Sequence, residues 1–309
     1  MRRTLVAAIA VLGSAGAVAW GVQAYRSAGP LREARDIVVA RGTAAHIADQ
    51  LRDAGVIRYS LLFRAASFVT RGNGALHAAE FHFAPGVSLA QALDVLRHGK
   101  PVQHFVTFPE GITAARVATI LVNAEPLSGD VIVPPEGYVL PQTYGFPRAT
   151  PRADILHRAH AALQAVLAPA PMLGLSAHDV LVLASLVERE TALPAERPMV
   201  ARVFLNRLKL HMKLQSDPTT IYGASGGEGN LGREISHADL ARTDSYNTYA
   251  ITALPAGPIC APGASAIDAV LHPAETDALY FVATGHGGHA FARTLSDHTS
   301  NVARFRDQR

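Results

Sequence analysis

Leu181-Val182-Leu183-Ala184-Ser185-Leu186-Val187-Glu188-Arg189-Glu190-Thr191 runs an almost unbroken apolar stretch into two carboxylates. Ser176 with Asp179 gives a capping-box-like start, so the segment reads as a helix that begins near 177. At about 100° per residue, Val180, Leu183, Ala184 and Val187 form its apolar stripe. On that wheel Glu190 falls about 60° from the stripe centre and Glu188 about 100°, while Arg189 points away. Glu190 is therefore placed nearer the buried side. Burial disfavours the charged form of a carboxyl and raises its pKa. A raised pKa lets a carboxylic acid hold a proton near neutral pH, as a general acid must. The competing reading sets both glutamates on a solvated helix end.

Moving outward, Pro198 suits the first turn of a following helix, with Val200, Val203, Phe204, Arg207 and Leu208 at helical spacing. Leu214-Gln215-Ser216-Asp217-Pro218-Thr219-Thr220-Ile221-Tyr222-Gly223 reads as a polar loop, and residues 224–232 as a glycine-rich one. Thr243-Asp244-Ser245-Tyr246-Asn247-Thr248-Tyr249 combines polar and aromatic groups suited to sugar hydroxyls and sugar faces, or to a hydrogen-bonded turn. Residues 279–283 and 289–292 read as a hairpin around Gly285-His286-Gly287-Gly288, followed by a helix with Val302 and Phe305.

Toward the N-terminus, residues 102–108 read as a strand, turned by Pro109-Glu110-Gly111, with Thr113 capping a helix that bears Val117, Ile120 and Leu121. Residues 134–141 form a rigid aromatic loop that runs on to Tyr144 and Phe146. Residues 37–100 make a small module. It has a strand at Ile37-Val38-Val39, helices over 43–54 and 61–69, a strand around Phe81 and Phe83, and a helix capped by Ser88 and stopped by Gly99. Leu61, Leu62, Ala65, Ala66 and Val69 are expected to form the buried face of its second helix. The fold class is α+β in three parts: residues 1–30 as stub, anchor and linker, the module at 37–100, and a mixed helical and β domain over 101–309.

The anchor is the uncharged run Thr4–Tyr25, long enough for the ~30 Å hydrocarbon core of a bilayer. Arg2 and Arg3 precede it and Arg26 follows, which predicts a single pass with the bulk of the chain exported. A cleaved signal peptide is the alternative, given Ala17-Val18-Ala19. The 309-residue chain is 49% hydrophobic and 17% charged, with net charge +3 and no clustered basic face, which argues against nucleic acid as a partner. Its single cysteine, Cys260, excludes an intrachain disulfide and sits in a Pro-Gly loop unsuited to a nucleophile.

No serine-hydrolase elbow, Walker loop, dinucleotide fingerprint or H-E-x-x-H occurs in the required context. His272, His286, His289 and His298 lack zinc-site spacing, so neither metal nor cofactor is expected. Carboxylate chemistry remains. Glycoside hydrolysis usually takes two acids, and Glu110, Glu136, Asp217 and Glu188 are candidates for the second. One acid suffices where the substrate's own hydroxyl is the nucleophile.

The run 184–191, Glu196-Arg197-Pro198 to Leu208, Leu214-Gln215-Ser216-Asp217-Pro218-Thr219 with Ile221-Tyr222-Gly223, Tyr246-Asn247-Thr248-Tyr249, Leu254-Pro255-Ala256-Gly257-Pro258-Ile259 and Gly287-Gly288-His289-Ala290-Phe291 resemble the endolytic murein transglycosylase, or YceG-like, family. Phe108-Pro109-Glu110-Gly111 and Glu136-Gly137-Tyr138 extend the resemblance, which covers the chain beyond the anchor. It implies an inner-membrane anchor, a LysM-like module over 37–100 and a periplasmic catalytic domain. That domain would cut nascent peptidoglycan glycan strands between N-acetylmuramic acid and N-acetylglucosamine, leaving anhydro ends. The family's catalytic glutamate falls on Glu190. Thr191, Gln215, Asp217, Tyr222, Tyr246 and Asn247 are the candidates for substrate binding or positioning. Cell-wall synthases are the candidate protein partners. Gln142, Ala261 and Ala79 depart from the usual Asp, Asn and Gly, and none lies beside Glu190. A non-catalytic glycan-binding scaffold and a water-using muramidase are the rival readings.

Overall fold

The computed structural model describes residues 15–170 and 175–307. The chain divides into two compact units, residues 1–104 with 146–149, and residues 105–145 with 150–309.

In the first unit, helix α1 covers residues 15–26. Half of the Thr4–Tyr25 run, residues 4–14, lies outside the described residues. Among the described residues no helix is long and apolar enough to cross a membrane. Strands β1 (Arg35–Val38) and β2 (Glu80–Phe83) pair antiparallel, Ile37 opposite Phe81. Between them lie α2 (Ala44–Asp53), capped by Thr43 Oγ1 accepting from the His46 amide, and α3 (Ser60–Val69). Helix α4 (Leu89–His98) follows β2, with the full Ser88–Gln91 capping box, and the Gly99 amide closes it on Val95. Leu51, Phe63, Phe81, Phe83, Leu93 and Leu96 form this unit's core. The buried face of α3 differs from the sequence expectation. Phe63 and Ser67 are buried, whereas Leu61 and Val69 are exposed. The helix is short and rich in apolar residues on both sides, so its pattern does not fix which side the aromatic core claims.

Strand β3 (Gln103–Thr107) pairs with β4 (Thr143–Pro147), which the sequence reading had left as loop. In the second unit, α5 (Ala114–Asn123) begins after Thr113, but the Thr113 hydroxyl makes no cap bond. The Glu136 carboxylate instead accepts the Ala114 amide at 3.0 and 3.1 Å. Helix α6 (Arg152–Leu167) was not anticipated; it leads toward α7 (Ala177–Glu190), capped by Ser176. Helix α7 is the axis of the core. Every residue from Val182 to Val187 is buried, and each fully buried Val or Leu contributes about 1.5–3 kcal/mol. The one polar residue in that run, Ser185, accepts the Ile259 amide at 3.0 Å and donates to the Val182 carbonyl. It thereby pins the 254–261 loop to the helix.

Helix α8 (Arg197–Lys209) packs on α7, with Pro198 in its first turn. The segment read as a polar loop contains α9 (Asp217–Ala224). Ser216 at its cap, Asp217 in its first turn and Pro218 supply the start signals, and Thr219 and Thr220 are buried rather than solvated. A short α10 (His237–Ala241) and α11 (Ala264–Leu271) follow, the latter against α7 and α8. The expected hairpin of β5 (Tyr280–Ala283) and β6 (His289–Ala292) forms, Tyr280 opposite Ala292, around positive-φ Gly285, Gly287 and Gly288, and α12 (Leu295–Arg306) covers it.

Candidate active site

Glu190 is the last residue of α7, where the helix breaks into extended Thr191. Its carboxylate Oε1 accepts a 2.5 Å hydrogen bond from Ser216 Oγ. Burial pushes its pKa up to about 7; the Ser216 bond opposes that rise, the nearby Asp217 charge reinforces it, and His289 and Arg207 pull it down. The side chain keeps a narrow opening onto a cleft of about 480 Å³ lined by Gln215, Asp217, Arg207, Tyr249, Phe281 and His298 among others.

Each wall has a local cause. Arg207 is buried: its Nε donates to the Leu279 carbonyl and its Nη1 to the carbonyls of Lys213 and Leu214 and to Gln215 Oε1. It therefore ties α8, the α9 entry and β5 together. Gln215 takes a left-handed φ of 52°, a conformation that costs a non-glycine residue about 1 kcal/mol or more. That turn swings the chain so that Ser216 meets Glu190 while Asp217 lines the cleft. The Ser216 amide bonds Thr248 Oγ1, and Thr248 Oγ1 meets Thr219 Oγ1 at 2.8 Å, both fully buried. Tyr249 donates its hydroxyl to Asp217 Oδ1 at 2.6 Å, and burial with that carboxylate raises the phenol's pKa. His298 stacks on Tyr280, and burial lowers its pKa.

Of the sequence candidates, Glu190, Gln215 and Asp217 come together in this cleft. Thr191 lies behind it, buried, receiving the Leu193 amide and donating to Glu196. Asn247 is fully buried and organises the 240–249 turn: its amide nitrogen serves the Leu240 and Arg242 carbonyls, and its oxygen accepts from Thr220 Oγ1 and the Tyr249 amide. Tyr222 donates to Glu136 and its ring lies 4.9 Å from that of Tyr246; neither lines the Glu190 cleft.

The other acids are engaged elsewhere. Glu188 is enclosed as well, its side chain 6% exposed. Arg197 explains its burial, at 2.9 Å, with the Gly263 amide on the second oxygen. Glu136 caps α5. Cys260 is buried, and burial raises its thiol pKa. His289 is held by Glu196, His272 faces Asp268, and among the described residues no cluster of three metal-ligating side chains occurs. Sequence reasoning missed Ser216, Tyr249 and Arg207 as cleft residues. Ser216 and Tyr249 stood inside motifs already singled out, but nothing local signals a bond spanning 26 residues.

An endolytic murein transglycosylase of Bacillus subtilis is 38% identical over 170 residues, 53% of this chain and 46% of that protein. One of Streptococcus pneumoniae is 34% identical over 178 residues, 54% of this chain and 32% of that protein. The chain thus spans less than half the length of these relatives. The crystal structure of a yceG-like protein of Listeria monocytogenes superposes with a TM-score of 0.55 at 26% identity, covering 87% of this chain and 99% of that one. The sequence profile of the YceG-like family matches residues 37–304, and the chain belongs to that family.

Proposed function

We propose that the protein is an endolytic lytic transglycosylase that cleaves the N-acetylmuramic acid–N-acetylglucosamine bond of peptidoglycan and so sets glycan chain length. The observation that carries this reading is Glu190, a single enclosed acid with a pKa of about 7, facing a cleft whose other carboxylate, Asp217, is bound to Tyr249. The murein transglycosylases among its relatives support the same chemistry.

Glu190 gives its proton to the glycosidic oxygen as the C1–O bond breaks. The resulting carboxylate then takes the proton of the muramic acid's own six-position hydroxyl, whose oxygen closes on C1. The product is a 1,6-anhydro ring, Glu190 is protonated again, and no water is consumed. A tethered hydroxyl needs orientation more than activation, which favours one acid over a two-carboxylate hydrolysis. Burial, reinforced by the Asp217 charge, favours the protonated acid between turnovers.

Residues 37–100 are read as a LysM-like glycan-binding module. The uncharged 4–25 run, whose second half lies in α1, is read as a single-pass anchor to the cytoplasmic membrane with the following chain on the periplasmic side. Digestion of glycan strands in heavy-oxygen water tests the chemistry. New ends should carry anhydro rings without label; label at the cut sugar would assign a water-using muramidase, and uncut strands would assign a scaffold.

A further inference from the structure

A second polar cleft, of about 940 Å³, lies in the same unit on the other side of the α9 entry. Asp217 lines the Glu190 cleft and the next residue, Pro218, lines this one. Its walls include Arg116 from α5 and Arg189 from α7, both exposed and neither with a hydrogen-bond or ion-pair partner among the described residues. Arg233 also faces it but is held by Asp239 in a two-oxygen ion pair, at 2.6 and 2.9 Å. Arg116 stands in the first turn of its helix, whose N-terminus the Glu136 carboxylate caps through the Ala114 amide. Two carboxylates share the lining. Among the described residues Glu110 reaches Arg197 alone, at 3.5 Å, and Glu228 has no hydrogen-bond or ion-pair partner. Thr113, 6% exposed and also in the lining, leaves its hydroxyl without any hydrogen bond.

Unpaired guanidinium forks are suited to carboxylates, and an unpaired acid to an ammonium. A ligand with both charges on a short flexible backbone satisfies this set better than a neutral sugar does. We propose that this cleft binds the stem peptide carried by the muramic acid of the glycan, with Arg116 and Arg189 holding its carboxylates. The inference rests on the transglycosylase reading for the identity of its ligand. The reach is sufficient: a helix is about 10 Å across, and an extended peptide covers that in about three residues. Arg189 lies between Glu188 and Glu190 in sequence, so the cleft is registered to the candidate acid by α7 itself.

The test compares peptide-bearing glycan with the same strands stripped of peptide by an amidase, measured both by cleavage and by binding to the Glu190→Gln protein. Wild type should prefer peptide-bearing strands by about tenfold or more, the size of one or two charge-assisted hydrogen bonds. Arg116→Ala with Arg189→Ala should bring that ratio close to one, and Arg116→Lys should restore part of it. No preference in wild type, or a preference that survives the double substitution, overturns the inference. If neither strand is cut but the binding ratio behaves as stated, the transglycosylase reading falls and the peptide cleft stands.

Discussion

Glu188 and Glu190 share the last turn of α7, and their partners divide their roles. Burial raises the pKa of Glu188 as well, but a backbone amide and a buried guanidinium oppose the rise. Glu190 receives only a hydroxyl. Glu190→Gln should therefore cut strand cleavage by about 10²–10⁴-fold while the fold is kept. Glu188→Gln should instead lower stability, by about 3 kcal/mol, because Arg197 is left buried with a weak partner. A chemical denaturation curve and a cleavage assay on both variants separate the two effects; strong cleavage by Glu190→Gln would remove it as the acid. The pH dependence follows from the same group. The protonated form is the one that donates, so turnover should fall above about pH 7, roughly tenfold per unit. The sign for stability runs the other way from a salt-bridged acid. Glu190 binds its proton more tightly folded than unfolded, so wild type loses stability as pH climbs from 4.5 to about 7. That loss is at most about 3 kcal/mol and is reduced by the cleft's opening to solvent. Gln does not titrate, so the Glu190→Gln protein should gain on wild type across that window and hold a constant margin above it, which thermal melts at pH 4.5, 6 and 8 would read.

At the scale of elements, the site is assembled where α7 ends and α9 begins, and the α9 end is set by a buried hydroxyl network rather than by apolar packing. Thr219, Thr220, Asn247 and Thr248 are all fully buried, and the Asn247 side chain holds the Leu240 and Arg242 carbonyls of its turn. Asn247→Ala should cost about 2–4 kcal/mol, since several buried groups lose their partners at once. It should also reduce cleavage, because the Thr248 hydroxyl that fixes the Ser216 amide belongs to the same turn. A variant as stable as wild type would show that this network is dispensable. The elements that sequence made legible are those with local signals. Ser88 with Gln91, Ser176 ahead of an apolar run, and the glycine turn at 285–288 each specify their element within a few residues. Helix α9 was missed because half its residues are Gly, Thr or Pro, and only the Ser216-Asp217-Pro218 start betrays it. Helix α6 was missed because its apolar residues are interleaved with Arg, His and Gln along most of its length. Glu190 was legible because an acid ending a buried helix is itself anomalous. Its Ser216 partner was not, because that contact depends on the left-handed turn at Gln215.

At the scale of the whole molecule, the first unit is discontinuous in sequence, taking in residues 146–149 as well as everything up to 104. One buried carboxylate holds that return. Glu80, its side chain 8% exposed, accepts from Arg148 at 3.0 and 3.3 Å and meets His104 Nε2 at 2.5 Å. The hydrogen bonds from Arg148 depress its pKa against the opposing cost of burial, and His104 adds to the depression. Glu80 shares a face of β2 with exposed His82, opposite Phe81 and Phe83, and is still buried, a place a carboxylate occupies only when paired. A depressed pKa contributes stability that is complete above the unfolded value near 4.5 and is lost as pH falls through the folded one. Glu80→Gln should therefore destabilise the first unit at pH 7 by about 1–3 kcal/mol, and the difference from wild type should shrink toward pH 3. Each unit has its own apolar core, so the loss should appear in the unfolding of the first unit while the second keeps its transition. Hydrogen exchange resolves the two: faster exchange confined to β1, β2 and α4 is the expected result, and equal acceleration along α7 would mean that the two cores unfold as one.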